Sequence, residues 1–129
     1  RPAIEWVDAN LPAGDEILIN PFPWGYGLYA GNDGAFWLSV LTENPSMPPP
    51  VLYGISNDKA EVARINQLSQ AVLTNGANPE MVANLMKEND IAYMLIGARG
   101  GVLPPAVYLN SDLFKLLYQE EGAFVFKRR

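Results

Sequence analysis

Residues 91 to 96, Ile-Ala-Tyr-Met-Leu-Ile, form an apolar run with no charge and no period-two alternation. Such a run predicts a strand buried on both faces, because a strand with one wet face would alternate polar and apolar residues. Covering both faces requires packing layers above and below a sheet, which places the chain in a layered α/β class. A second run, Glu16-Ile17-Leu18-Ile19-Asn20, predicts another buried strand.

The layers are legible as amphipathic helices. Pro2 opens a short one in which Ile4, Val7 and Leu11 share a face. Asp58 and Glu61 form a capping-box-like pair ahead of a longer one, striped by Val62, Ile65, Leu68 and Val72 and ended by Asn75-Gly76. Asn78 and Pro79 start a third, with Met81, Val82, Leu85 and Met86 predicted inward. Asn89-Asp90 supplies its closing turn, since Asn tolerates the left-handed region. Residues 35–41 (AFWLSVL) fit a strand or a helix equally, and the prolines at 45 and 48–50 continue neither. Asp112-Leu113-Phe114 predicts a brief helical turn. Residues 115–120 and 123–127, joined by Glu121-Gly122, predict a hairpin. The expected fold is α/β: a mixed sheet flanked by helices, an α/β/α sandwich of Rossmann-like kind, with a C-terminal β-hairpin.

A length of 129 residues suits a single domain, residues 1–129. No apolar run approaches the roughly 20 residues of a membrane span, and no secretory signal follows Arg1-Pro2. A start without Met implies processing or excision from a larger protein. The formal charge of −5 argues against nucleic acid as a partner. Cysteine and histidine are both absent, which excludes disulfides, thiolate or imidazole metal sites and His-based triads. No metal and no cofactor are expected, and any catalysis would rest on carboxylates, Lys, Tyr or Ser.

The stretch between residues 20 and 38, NPFPWGYGLYAGNDGAFWL, concentrates aromatics, glycines and prolines. If the strands at 16–20 and 91–96 pair in parallel, the loops leaving both meet at one sheet edge, where ligands of open α/β sheets bind. Trp24, Tyr26 and Tyr29 would then face Arg99 and Gly100-Gly101 in a pocket suited to a sugar or an anionic group. The candidate ligand-binding residues are Trp24, Tyr26, Tyr29, Asn32, Asp33, Trp37, Arg99 and Gly100. Plainer roles stand beside these. Trp24 and Trp37 fit lids over the core, Asn32-Asp33-Gly34 fits a turn, and Arg99 fits an ion pair with an acidic neighbour. Gly97, Gly100 and Gly101 lack dinucleotide-binding spacing, there is no P-loop, and Asn44-Pro45-Ser46 fails as a glycosylation site. Asn20-Pro21-Phe22 is similar to the Asn-Pro-Pro-aromatic turn of DNA amino-methyltransferases. Phe stands at its third position, and no Gly-rich cofactor turn accompanies it.

The order of segments resembles a known family. Glu5-Trp6-Val7-Asp8-Ala9-Asn10-Leu11-Pro12 leads into Ile17-Leu18-Ile19, then Trp24-Gly25, then Trp37-Leu38-Ser39-Val40-Leu41-Thr42 with Pro45 beyond. Asp90 to Gly97 and Tyr118 to Phe126 close the series. The whole resembles the C-terminal soluble domain of bacterial polytopic membrane glycosyltransferases of the GT-C, dolichyl-mannosyltransferase-like type and their uncharacterised relatives. The resemblance implies an extracytoplasmic (periplasmic or cell-surface) domain, anchored through segments outside these residues and partnered by the transmembrane portion of its parent. It further implies contact with a lipid-linked sugar or glycan acceptor, and a catalytic carboxylate elsewhere in the parent, so Asp33 is not given that role. The family often has Gly where Asn89-Asp90 stands. Three functions follow: a non-catalytic domain supporting sugar or acceptor binding or capping the membrane active site, a stand-alone carbohydrate-binding module, and a small carboxylate enzyme relying on Asp33 with Arg99.

Overall fold

The structure, a computed structural model, describes residues 2–32 and 35–129. The first half contains α1 (Pro2–Asn10), β1 (Ile17–Leu18), β2 (Pro21–Gly25), β3 (Leu28–Gly31), α2 (Ala35–Leu41) and β4 (Ser46–Met47). After a 3-10 turn at Val51–Ile55 come α3 (Lys59–Asn75), α4 (Pro79–Glu88), β5 (Tyr93–Ile96), α5 (Pro105–Leu109), β6 (Phe114–Glu120) and β7 (Ala123–Arg128).

The main sheet has the order β4-β1-β5-β7-β6. β1 pairs in parallel with both β4 and β5, with Ile17 opposite Ser46 and Tyr93, while β7 runs antiparallel to β5 and β6. The expected mixed α/β sandwich is therefore present, and so is the parallel pairing of the two apolar runs. Side chains divide cleanly between the faces. Leu18, Met94, Ile96 and Phe126 pack with Ile65, Leu68, Val72, Val82, Met86 and Tyr108 from α3, α4 and α5. Ile17, Ile19, Tyr93, Leu95 and Val125 pack with Ala3, Ile4, Val7 and Leu38 from α1 and α2. Two-sided burial is the reason residues 91–96 show no alternation. The C-terminal hairpin closes on Glu121-Gly122, both at positive φ (53° and 79°), the geometry that matches strand twist in a two-residue turn.

Several expectations change. Residues 35–41 are helical, and Thr42 donates its hydroxyl to the Leu38 carbonyl at 2.6 Å. Ser46-Met47 forms a sheet edge despite the prolines around it, because an edge strand needs partners on one side only. Asp112-Leu113 is a turn without a helix, and Phe114 already belongs to β6. Met81 points outward at 42% exposure, while Val82 and Met86 are buried as expected and Ala83 joins them. Asp58 caps α3 by accepting from the Glu61 backbone at 3.0 Å, but the Glu61 carboxylate turns to Arg64 at 2.8 Å. At the end of α4 it is Asp90, not Asn89, that takes positive φ (56°). Gly76 has a right-handed φ of −58°. Its smallness serves packing, since a Cβ there would stand 2.2 Å from the Val102 carbonyl oxygen.

Candidate functional site

The connection from β1 to β4 carries α2 on one face of the sheet, and that from β4 to β5 carries α3 and α4 on the other. The winding therefore reverses beside β1, and the crevice that such a reversal opens lies at the carboxyl ends of β1 and β5. In this chain that crevice is filled by the protein's own polar groups. Asn20, 1% exposed, follows β1 and accepts a hydrogen bond from the Leu103 N–H at 2.8 Å. Asn32 donates its side-chain amide to the Gly100 carbonyl at 2.9 Å and its backbone N–H to the Asn20 carbonyl at 2.7 Å. Gly101, at φ +153°, lies so close that a Cβ would come within 2.5 Å of Asn20 Cγ. The Nδ2 of Asn20 is buried with no hydrogen-bond partner among the described residues. The loops leaving β1 and β5 do meet at one sheet edge, and they meet through Asn20, Asn32, Gly100 and Leu103.

The stretch read as a loop is an antiparallel hairpin over most of its length. Pro21 to Gly25 pair with Leu28 to Gly31, with a bulge between Pro23 and Gly25. Its turn, Tyr26-Gly27, has φ of 55° and 71°. Prolines argue against a central strand, but this two-stranded unit has only edges. The base is pinned to the body on the α3 side. The Tyr29 N–H donates to Tyr53 Oη at 2.8 Å, the Tyr29 hydroxyl donates to Gln70 Oε1, and the Tyr53 hydroxyl donates to Asn66 Oδ1 at 2.6 Å. Burial raises the Tyr53 hydroxyl pKa above its ordinary value, and the hydrogen bond from Tyr29 N–H acts against that shift. Beyond this anchor the tip is bare: Trp24 is 57% exposed and Tyr26 fully exposed, with Phe22 tilted against Trp24 at 6.5 Å between ring centroids. Leu52 and Ile55 of the adjoining 3-10 turn are exposed as well.

Trp37 and Arg99 lie elsewhere. Both line a groove of about 510 Å³ at the carboxyl end of β5, between the first turn of α1, α2, the loop 97–99 and the β6–β7 turn. Glu120 and Glu121 complete its polar wall, and Gly122 stands against Ala98. Trp37 is 48% exposed there, so neither it nor Trp24 is a buried lid over the core. Both Trp37 and Arg99 also have contacts within the chain.

The eight candidate residues therefore do not form one pocket. Trp24 and Tyr26 occupy the hairpin tip, Tyr29 its anchor, Asn32 and Gly100 the polar knot, and Trp37 and Arg99 the groove. Asp33 lies outside the described residues. Sequence reasoning missed Leu52, Ile55, Glu120 and Glu121. A signal for the first two was available: between Glu16 and Asp58 the only charged residues are Asp33 and Glu43. Among the described residues no cluster of three or more His, Cys, Asp or Glu side chains could hold a metal, and no helix is long and apolar enough to cross a membrane. No family model matches the chain, and neither a curated protein nor a solved structure shows significant similarity to it.

Proposed function

We propose that this is a non-catalytic, extracytoplasmic domain of a larger, glycosyltransferase-like membrane protein, and that the β2–β3 hairpin docks it against the membrane-embedded part. The observation that carries the reading is the bare aromatic tip on an anchored base. Phe22, Trp24 and Tyr26 protrude with Leu52 and Ile55 beside them, and no Lys, Arg, Asp or Glu occurs between residues 17 and 32 or between 44 and 57. Exposed apolar side chains clustered in this way mark interaction surfaces. Trp and Tyr dominate interface hot spots and also settle at membrane interfaces, where a ring can be dry and its polar handle wet. The pinning of Tyr29 means that docking orders little additional backbone, which lowers its entropic cost. The resemblance to GT-C-type proteins supports the same partner: their transmembrane helices precede this domain, and it would cap or support a sugar site formed there.

A photo-crosslinking amino acid at position 24 or 26 of the full-length parent, in native membranes, tests this reading. Crosslinks to transmembrane segments or lipid are expected, with none from a control position at Asp112. Absence of such crosslinks, together with normal parent function after Trp24→Ala/Tyr26→Ala, would sink the reading.

A further inference from the structure

We propose that the groove lined by Trp37, Arg99, Glu120 and Glu121 binds a short neutral glycan, separately from the hairpin. This deepens the sugar-contacting part of the reading above and rests on it for biological context, but its chemistry stands on the groove. A saccharide ring has one apolar C–H face and a rim of hydroxyls. A protein recognises it with an aromatic plane against the face and planar, two-pronged polar groups along the rim. Trp37 lines the groove half-exposed, and its edge-to-face contact with Phe36 (5.3 Å, 79°) helps to fix the ring. Arg99 brings N–H donors to the lining, and Glu120 and Glu121 bring carboxylate acceptors, Glu120 Oε2 also accepting from the Tyr118 hydroxyl at 3.0 Å, so groups of both kinds line the groove for a sugar's hydroxyls.

Charge narrows the ligand class. Among the described residues that line the groove, Glu120 and Glu121 outnumber Arg99, which disfavours phosphate or another anion, whereas a neutral polyol can use both signs. Volume agrees, since about 510 Å³ lies within the roughly 300–1,000 Å³ usual for small-ligand sites. The broader depression along α4, with Lys87, Asn110 and Arg128 among its walls, has no aromatic side chain and so no platform. The site also occupies the sheet edge where open α/β folds bind ligands, displaced toward α1 and α2 because Asn20 and Asn32 fill the crevice itself.

The test uses the 129-residue chain and the indole N–H signals of its three tryptophans in ¹⁵N-resolved NMR. Titration with a panel of neutral mono- and oligosaccharides (gluco-, galacto-, manno- and N-acetylglucosamine series) should shift the Trp37 signal saturably for at least one series. Trp37→Ala should weaken that binding by about tenfold or more, as read from backbone amides of residues 97–99. Trp24→Ala should leave it within about twofold, since Trp24 is not part of the groove. Glu120→Gln, an isosteric surface change, should also weaken binding and keeps the test open if Trp37→Ala unfolds. Overturning results are the absence of saturable shifts across the panel, or shifts that centre on Trp24 and survive Trp37→Ala. Neither outcome bears on hairpin docking, which is read in the parent membrane and not by sugar titration.

Discussion

The polar knot at the sheet edge makes a double-mutant cycle between Asn20 and Gly101 a direct test of how the site is built. In Gly101→Ala the new Cβ would lie 2.5 Å from Asn20 Cγ and 2.7 Å from Oδ1. Asn20 cannot swing aside, because it is 1% exposed and Oδ1 holds the Leu103 N–H at 2.8 Å. Overpacking of this kind costs about 1–3 kcal/mol, and a non-Gly residue at φ +153° adds a further ~1–3 kcal/mol of backbone strain. Asn20→Ala strips the Leu103 N–H of its partner, at about 1–3 kcal/mol. It also removes the buried, unpartnered Nδ2, so its net cost should be roughly 1 kcal/mol. In the double variant the contacts with Cγ and Oδ1 disappear, but position 20 keeps a Cβ 2.8 Å from the new one, and the backbone strain and the unpartnered Leu103 N–H persist. With only part of the clash relieved, the double variant should lose about 1 kcal/mol less than the sum of the single losses. For a chain of 129 residues each kcal/mol corresponds to roughly 4 °C in Tm. Urea denaturation of wild type, both single variants and the double variant measures the coupling. Additivity within about 0.5 kcal/mol would mean that the two residues do not touch, and the knot as described would be wrong.

Two further outcomes follow from the core behind the knot. Gly76→Ala, at a right-handed φ of −58° just past the end of α3, would ordinarily gain about 0.4–1 kcal/mol by restricting the unfolded chain, but here its Cβ meets the Val102 carbonyl oxygen at 2.2 Å. A net loss of about 2 kcal/mol or more is expected in denaturant melts, and any stabilisation refutes the close approach. Tyr108→Phe removes the 2.6 Å hydrogen bond that the buried hydroxyl donates to the Gly76 carbonyl, at a cost of about 1–3 kcal/mol at neutral pH. Burial raises the Tyr108 hydroxyl pKa above 10, so the folded state holds its proton more tightly than the unfolded state. The wild type should keep this stability below about pH 10 and lose it progressively above, where the unfolded chain sheds that proton first. The difference between wild type and Tyr108→Phe should thus shrink between pH 10 and 11, and a difference independent of pH would contradict the raised pKa.

The sheet was legible where the residues themselves carried the reason for their placement. An unalternating run at 91–96 demands cover on both faces, and Glu121-Gly122 between two β-prone runs demands a tight turn. What escaped depends on partners distant in sequence. Pro21 and Pro23 look incompatible with a strand until the hairpin is seen to be all edge, and Ser46-Met47 is a strand only because β1 lies beside it. Helix α5 begins with Pro105 in its first turn, a start signal present in the sequence at a segment for which no helix is predicted. The site followed the same rule. Placing Arg99 at the carboxyl edge needed only strand direction, whereas bringing Trp37 beside it required the helical form of α2. Bringing Glu120 and Glu121 to the same groove required the antiparallel pairing that sets Ile96 opposite Phe124.

The arrangement of the sheet edge also narrows the chemistry open to the domain. In doubly wound sheets the reversal crevice is where backbone N–H groups and helix ends receive a phosphate. Here the Leu103 N–H in that crevice is already given to Asn20, the Gly100 carbonyl to Asn32, and the space beside Gly101 to the Asn20 side chain. Closing the crevice joins the root of the hairpin to the loop that bears Arg99, since Asn32 follows β3 directly. The aromatic tip and the groove are thus held in one frame by two asparagines. A domain wired in this way presents two surfaces in fixed relation, one apolar and one polar-aromatic. If the hairpin docks and the groove binds a glycan as proposed, that glycan would be held at a set position relative to the docking surface.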